Sequence, residues 1–246
     1  MKDQLPTAKA AELELRRLAN PRNAAFAQKF FRTEKGGYGE GDSFLGLSVP
    51  TVRGVARRCN ALDGQELAKL LDSKWHEARL MALAILAQRA EKAFKKKDAN
   101  SLKAVFGVYR SRISRIDNWD LVDVAAPAVV GSYFLVNNDA ERKRWLASKQ
   151  LWERRIAYVS LLQDIRRAKR VDRVFRYGPR LLEDSHDLMH KALGWVLREA
   201  GKVDPQGLEA FIERYGKRMP RTALRYAIER WPQAKRKRTL IETRGE

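Results

Sequence analysis

Asp123 is the residue of this sequence whose type and setting most suggest chemistry. It interrupts the apolar run 121–130, and an aspartate is rarely buried without a partner. Trp119 lies four residues earlier and so falls on the same face of a helix. A fixed carboxylate stabilises positive charge, and the face of an indole attracts cations. The pair is therefore suited to hold a positively charged group.

Three other segments align with the one around Asp123 as second helices of helix pairs. In this register Arg79, Asp123, Arg155 and Lys191 are equivalent, at intervals of 44, 32 and 36 residues. These intervals overlap those of helix-pair solenoids such as HEAT repeats. A solenoid stacks its second helices on one concave wall, so the four side chains are predicted to form a row there. Trp195, four residues after Lys191, falls on the same face.

Two interpretations of this row remain open from spacing alone. Asp123 and Arg155 are equally compatible with a reactive site and with an aspartate–arginine ladder that joins adjacent repeats. For Trp119 and Trp195 taken alone, packing in the core is favoured, because tryptophans on amphipathic helices are usually buried.

The elements that must position these residues are almost all helices. Ala, Leu, Arg and Glu dominate, and no clear run alternates with the two-residue period of a strand. The sequence predicts an all-α fold, a right-handed solenoid of HEAT-like helix pairs with a concave basic surface. A single repeat domain is expected over 1–231, followed by a basic, flexible tail over 232–246. Helices are predicted near 7–19, 21–32, 50–59, 64–72, 75–94, 98–112, 118–136, 139–147, 150–168, 171–183, 187–201, 204–216 and 220–231.

The charge of the chain indicates a polyanionic partner. Fifty Lys and Arg against 30 Asp and Glu give a net charge of +20, of which residues 232–246 contribute +3. The remaining +17 belongs to the predicted folded body, which should therefore carry a basic face that binds nucleic acid. Residues 166–180 hold seven Arg or Lys and one acid, and this density indicates an edge that contacts phosphates.

Other classes of protein and site are less compatible with the sequence. The single cysteine, Cys59, permits no intrachain disulfide and no zinc cluster. No apolar signal-peptide region follows Met1, and the longest uncharged stretch, 124–138, contains Pro127 and Gly131. We therefore expect a cytoplasmic, nucleoid-associated monomer that needs no metal and no other cofactor and does not bind membranes. The three histidines have no matching ligand partners and are expected to be structural.

Four segments resemble the AlkD-type DNA alkylation repair glycosylases, in the family's order. They are residues 44–53 (FLGLSVPTVR), 118–123 (NWDLVD), 151–157 (LWERRIA) and 191–199 (KALGWVLRE). Together these matches span the chain from about Phe26 to Tyr226. The resemblance implies a solenoid of HEAT-like repeats whose concave surface holds duplex DNA without flipping the damaged base into a pocket, unlike most glycosylases.

The resemblance also implies an activity and a role for each matching residue. The family removes cationic N3- and N7-alkylpurines by hydrolysing the glycosidic bond. Asp123 would be the catalytic carboxylate, Trp119 and Trp195 would flank the deoxyribose, and Arg155 would contact the adjacent backbone. The cationic base leaves as a neutral molecule, and the carboxylate stabilises the oxocarbenium-like sugar. Further residues are expected to bind DNA: Arg53, Arg79, Arg154, Arg166, Arg167, Lys169, Arg170 and Lys191.

The sequence departs from the family's pattern in two places. A tyrosine that some members carry in the N-terminal helices is phenylalanine here, at Phe30 or Phe31, so a hydroxyl contact would be missing. The glycine-rich insertion 35–42 occurs in part of the family, and its Glu40 and Asp42 favour a structural turn over a phosphate cradle. The alternative function is a catalytically inert DNA- or RNA-binding scaffold, although such a scaffold has no reason to keep Asp123 with both tryptophans.

Overall fold

The computed structural model describes residues 5–59 and 61–244, and within these ranges the chain is all-α, as predicted. Pairing between extended segments is limited there to one isolated bridge, between Ser43 and Trp75. The α-helices of the described residues are α1 Ala8–Arg17, α2 Pro21–Phe30, α3 Val49–Ala56, α4 Gly64–Leu71, α5 His76–Lys95, α6 Ala99–Ser111, α7 Trp119–Ala126, α8 Ser132–Val136, α9 Ala140–Leu146, α10 Leu151–Val159, α11 Leu161–Ala168, α12 Asp172–Tyr177, α13 Asp187–Gly201, α14 Pro205–Tyr215, α15 Arg221–Ala227 and α16 Gln233–Glu242.

Short polar side chains determine where many of these helices begin. Asn20, Ser48, Asp98 and Asp204 each accept a hydrogen bond from the backbone N–H three residues later, which satisfies one of the free donors of the first turn. Proline stands within the first two positions of α2, α3 and α14, where its missing N–H is not needed. These starts agree with the sequence prediction.

The chain forms two compact units, Met1–Tyr133 and Phe134–Glu246, each built around one long helix. In the first unit, α5 has twelve buried residues and packs against α3, α4, α6 and α7. In the second unit, α13 has eight buried residues and packs against α10, α11, α14 and α15. A single repeat domain over 1–231, its solenoid arrangement and its basic concave surface stay predictions.

The helix predicted over 118–136 is interrupted. A π-helix over Pro127–Gly131 separates α7 from α8. Pro127 has no N–H and cannot donate the hydrogen bond that an α-helix directs to the carbonyl of Asp123. A wider turn beside a proline is an ordinary response to such a gap.

The stretch Trp119–Val136 has the length and composition of a membrane-crossing helix, whereas the short uncharged stretch 124–138, with Pro127 and Gly131, predicts none. More than half of it is buried inside the protein, 56% of the window. Burial of this kind is typical of a core helix, so the stretch is weak evidence for a membrane span.

The structure differs from the prediction of a flexible tail. Residues Gln233–Glu242 form α16, in which Thr239 is buried. The guanidinium of Arg221 donates to the carbonyl of Leu240 at 2.8 Å and to the hydroxyl of Thr243 at 3.2 Å. The basic run 235–238 thus lies on a helix that is attached to α15, because Lys and Arg are themselves good helix formers. Glu246 lies outside the described residues.

The glycine-rich segment, residues 34–48, is fixed to α5 by a buried carboxylate. Glu77 accepts the backbone N–H groups of Leu45, Gly46 and Leu47 at 2.9, 2.7 and 3.1 Å. Gly46 has φ +77°, and a Cβ there would lie 2.3 Å from the carbonyl oxygen of Asn20. Only glycine allows this close approach of the segment to α2.

Candidate functional site

Trp119 is the first residue of α7, and Asp123 lies one helical turn later. The buried side chain of Asn118 begins the helix by accepting the N–H of Trp119 at 2.8 Å. Trp119 and Asp123 are both half-buried, while Leu121, Val122, Ala125 and Ala126 on the other faces are buried. The predicted placement of the indole and the carboxylate on one helical face is therefore compatible with the structure.

Aromatic side chains surround the indole of Trp119. Phe31 stacks on it with ring centroids 5.4 Å apart, and Phe30 meets it edge-on at 6.2 Å. The indole N–H donates to the hydroxyl of Tyr38 at 3.3 Å, and that hydroxyl donates to the carbonyl of Phe30 at 3.2 Å. Tyr38 of the glycine-rich segment thus supplies a hydroxyl beside the two phenylalanines, and the sequence analysis did not single it out.

Phe30 continues the aromatic cluster towards solvent. It stacks with Phe26 at 6.2 Å between centroids, and the two rings are 54% and 71% exposed. Helix α2 has no buried residue. An exposed apolar surface of this kind, next to a half-buried indole, is available to a ligand rather than used in the core.

Tyr109 of α6 lies within the electrostatic influence of Asp123. Its side chain is fully buried, and its hydroxyl has no hydrogen-bond partner. Burial raises the pKa of the phenol well above its ordinary value, and the negative charge of Asp123 raises it further. The carboxylate of Asp123 is therefore close enough to the core of this unit to act on a buried group.

A buried ionic cluster lies against the same aromatic side chains. His76, the first residue of α5, bonds to Asp42 through Nδ1 at 2.7 Å and to Asp120 through Nε2 at 2.8 Å. Its ring lies 4.4 Å from that of Phe44 and 5.2 Å from that of Phe31. This setting agrees with the expectation that His76 is structural. Its partners Asp42 and Asp120 are 34 and 44 residues away in the sequence.

Arg79 belongs to this cluster, and the structure gives it a role different from the predicted contact with DNA. It is 2% exposed and donates to Asp42 at 2.9 Å, to Asp117 at 3.2 Å and to the carbonyl of Ser73 at 3.2 Å. A guanidinium with these partners is not free to bind a phosphate. Burial raises the pKa of Asp117, an effect that the charge of Arg79 opposes.

The other members of the predicted row lie in the second unit. Arg155 is 4% exposed and donates to the carbonyl of Leu188 at 2.5 Å, next to the start of α13. Lys191 forms an ion pair with Asp187 at 2.8 Å and keeps 42% of its side chain exposed. Trp195 is half-buried. That these residues share a wall with Asp123 stays a prediction.

The predicted DNA-binding cations fall into two groups. Arg154 is largely engaged, since it donates to Asp184 at 2.6 Å and to the carbonyls of Ser148 and Lys149. Arg154 thus links α10 to the loop before α13, and its contact with DNA stays a prediction. The exposed cations are Arg53, Arg166, Arg167, Lys169 and Arg170.

Arg53 lines a groove that reaches the helix of Asp123. The groove has a volume of about 300 Å³, and Arg57, Gln88 and Val124 also contribute to it. Val124 directly follows Asp123 on α7. An exposed arginine and the candidate carboxylate thus belong to one region of the first unit. Within the described residues, no group of His, Cys, Asp and Glu side chains is arranged to hold a metal ion.

Comparison with known proteins identifies a family and a similar fold for this chain. The chain resembles a structure described as a predicted DNA alkylation repair enzyme from Enterococcus faecalis, with a TM-score of 0.63 and 17% identity. The match covers 87% of this chain and 97% of the other, and at this identity it shows the fold alone. No curated protein matches the sequence. A family model of DNA alkylation repair enzymes matches residues 11–231, so the chain belongs to that family of DNA repair enzymes.

Proposed function

We propose that this protein is a DNA glycosylase that hydrolyses the N-glycosidic bond of cationic N3- and N7-alkylpurines in duplex DNA. The observation that carries the proposal is the half-buried carboxylate of Asp123, one helical turn from the supported indole of Trp119, in a DNA alkylation repair enzyme.

The chemistry requires little from the protein except charge placed in the right position. Alkylation of a ring nitrogen gives the purine a positive charge, so the base leaves with the electron pair of the glycosidic bond as a neutral molecule. Positive charge then develops on the sugar. Asp123 stabilises that charge and orients a water, which adds to C1′ and loses a proton.

Trp119 and Trp195 have supporting roles in this proposal. Indole faces attract the cationic sugar by about 0.5–2 kcal/mol, depending on desolvation. Phe31 covers part of the Trp119 indole and Tyr38 fixes its N–H, so the ring is held before DNA arrives. A preorganised group loses little conformational entropy on binding.

The exposed cations bind the duplex in this proposal. Arg53 lies in the groove beside Val124, and Arg166, Arg167, Lys169 and Arg170 cluster at the end of α11. Contacts of this type with phosphates hold DNA in register but do not read its sequence. The helix pairs would form a right-handed solenoid, and its concave surface would hold the duplex next to Asp123. Arg155, which is buried against Leu188, would act on the backbone only through a rearrangement of its side chain.

Base release from methylated duplex DNA tests the proposal. The purified wild-type protein should release 7-methylguanine or 3-methyladenine. Asp123→Asn should lower the rate at least about 100-fold, as expected for loss of one preorganised electrostatic group. DNA affinity should stay nearly unchanged, because removing a negative charge does not weaken binding to a polyanion.

Asp72→Asn is the matched control for that experiment. Asp72 is an exposed partner of Arg112 in the same unit, and its amide variant should keep the wild-type rate. Wild-type activity in Asp123→Asn would contradict the mechanism. Tight binding of methylated DNA by the wild-type protein without any base release would favour the inert scaffold instead.

A further inference from the structure

His76 lies between two carboxylates, and the proposed chemistry does not use it. Asp42 lies 2.7 Å from Nδ1 and Asp120 lies 2.8 Å from Nε2. A neutral imidazole has one N–H, so it would turn a lone pair towards one of the two carboxylates. The imidazolium donates to both, and this geometry therefore fits the protonated ring.

The charges around His76 favour the same protonation state. The ring is 2% exposed, and burial alone would lower its pKa, but the hydrogen bonds and charges of Asp120 and Asp42 outweigh burial and raise the pKa to about 9. Burial likewise acts to raise the pKa of Asp42, whereas His76 and Arg79 together lower it below its ordinary value. The charged groups facing the ring are those two carboxylates, with Arg79 of α5 and Asp117 before α7 completing the cluster.

The cluster is mechanically connected to Trp119 along two paths. Asp120 follows Trp119 in the first turn of α7, so its bond to His76 fixes that turn. Phe31 contacts both the His76 ring, at 5.2 Å, and the Trp119 ring, at 5.4 Å. Asp42 and Tyr38, which accepts the indole N–H, belong to the same glycine-rich segment. Movement of His76 would therefore reach both the face and the edge of the indole.

We propose that His76 is a positioning residue, whose imidazolium holds the glycine-rich segment against α7 and thereby fixes the Trp119 indole and the turn that carries Asp123. The effect of His76 on base release rests on the proposed function, whereas its effect on the position of Trp119 does not. Loss of the proton leaves the buried carboxylate of Asp42 and the half-buried carboxylate of Asp120 beside a neutral ring, which weakens the link between the segment and α7.

A titration of the wild-type protein tests the coupling without any assay of activity. The chain has three histidines and six tryptophans, so His76→Gln and Trp119→Phe each identify one signal. We expect one histidine ring proton to titrate with a midpoint near 9 and to vanish in His76→Gln. With 5-fluorotryptophan incorporated, the fluorine signal of Trp119 should shift with the same midpoint. A His76 midpoint at or below 7, or a Trp119 signal that does not follow it, would overturn the proposal.

Single-turnover kinetics with methylated DNA provide the functional readout. His76→Gln should lower the rate of base release from the bound complex about 10- to 100-fold while changing Kd less than about 3-fold, since misplacement of a reacting group affects the chemical step most. Asp139→Asn is the control, because it also removes a charge from a buried, hydrogen-bonded side chain. Asp139 accepts the hydroxyl of Tyr177 and lies in the second unit, away from Trp119 in the sequence. Equal losses of rate per folded molecule in the two variants would show a merely structural role and would overturn the proposal.

A second variant covers the case in which His76→Gln does not fold. Asp42→Asn keeps an oxygen acceptor for the ring and removes one charge, so it should lower the His76 midpoint and reduce the rate in parallel. An unchanged midpoint in Asp42→Asn would contradict the proposal. Should the wild-type protein release no base at all, the proposed function fails, and the titration still decides whether His76 positions Trp119.

Discussion

The two compact units each bury a network of ion pairs, and the networks join different kinds of element. In the second unit, Arg142 bonds to Asp164 at 3.2 Å, and Arg173 bridges Asp164 at 3.0 Å and Asp139 at 3.4 Å. These residues lie on α9, α11 and α12 or at their ends, so this network ties helices to helices. In the first unit, His76 and Arg79 of α5 bind carboxylates from irregular segments and from the first turn of α7.

The difference shows that the effect of losing a buried charge cluster depends on whether the cluster joins helices to each other or holds an irregular segment. Helices have their own hydrogen bonds and remain ordered when a tie between them is lost. The hydrogen bonds of the glycine-rich segment close turns among residues 32–42, and Glu77, His76 and Arg79 are what attach the segment to α5. Breaking the second unit's network should therefore affect stability, whereas breaking the first unit's cluster should also affect the site.

The largest effect is expected from Asp164→Ala. This change leaves Arg142, whose side chain is 0% exposed, without its carboxylate, and an uncompensated buried charge costs about 3–5 kcal/mol. The free energy of unfolding, measured in urea, should fall by that amount, while base release per folded molecule stays near wild type. Asp172→Ala, which removes an exposed partner of Arg176, should change stability by less than about 0.5 kcal/mol. A loss of base release per folded molecule in Asp164→Ala would contradict the prediction that the second unit's network affects stability alone.

The second prediction concerns alkaline pH. The pKa of His76 is raised from 6.5 to about 9 in the folded state, so its contribution to stability is fully present below pH 6.5 and is lost as the pH rises through about 9. The full contribution is on the order of 3 kcal/mol. In the second unit, burial and Asp139 raise the pKa of Tyr177 to about 12, which lies above this window.

Hydrogen exchange at pH 7 and pH 10, corrected for the intrinsic rates, measures that contrast. Protection at the N-terminal end of α5 should fall more than protection in α13. In His76→Gln the difference between the two helices should disappear. Equal losses of protection in the wild-type protein would contradict the linkage.

The smallest effect is expected from two lysines with left-handed backbone. Lys97 in the first unit has φ 55° and Lys169 in the second has φ 54°, so glycine at either position should relieve about 1 kcal/mol of strain. Only Lys169 lies among the cations proposed to bind phosphates. The slope of log Kd against log salt should therefore fall by about 1 in Lys169→Gly and stay unchanged in Lys97→Gly. The same salt slope in both variants would contradict the proposed binding of DNA phosphates by Lys169 at the end of α11.

The all-α class of the described residues and the shared helical face of Trp119 and Asp123 could be predicted from the sequence. Helix periodicity and capping residues act locally, so they predict α-helices and the common face of Trp119 and Asp123. The register also placed Arg79 in a row of DNA-binding residues, but its partners Asp42 and Asp117 are 37 and 38 residues away. Pairing between residues this far apart in the sequence depends on tertiary packing, and a repeat register gives no information about tertiary packing.

The supports of Trp119 were also hidden from the sequence. Tyr38 and Asp42 lie in a glycine-rich segment whose composition indicates a turn but not what the turn contacts. The available signal for a defined structure was the five glycines among residues 36–46 with the aromatic Tyr38 among them, and three of these glycines, Gly36, Gly41 and Gly46, have positive φ in the structure. The charge of the tail favours flexibility, whereas its Lys, Arg and Leu residues favour the helix that the structure contains.

The π-helix at Pro127–Gly131 has a consequence for how such chains vary in length. A π-turn accommodates about one residue more than an α-turn, so each side chain beyond it is rotated by about 100° from the register before it. Insertion or deletion of a residue there changes which side chains of α8 face the core without altering α7. The length of a helical segment can thus change by one residue inside a helix as well as in a loop.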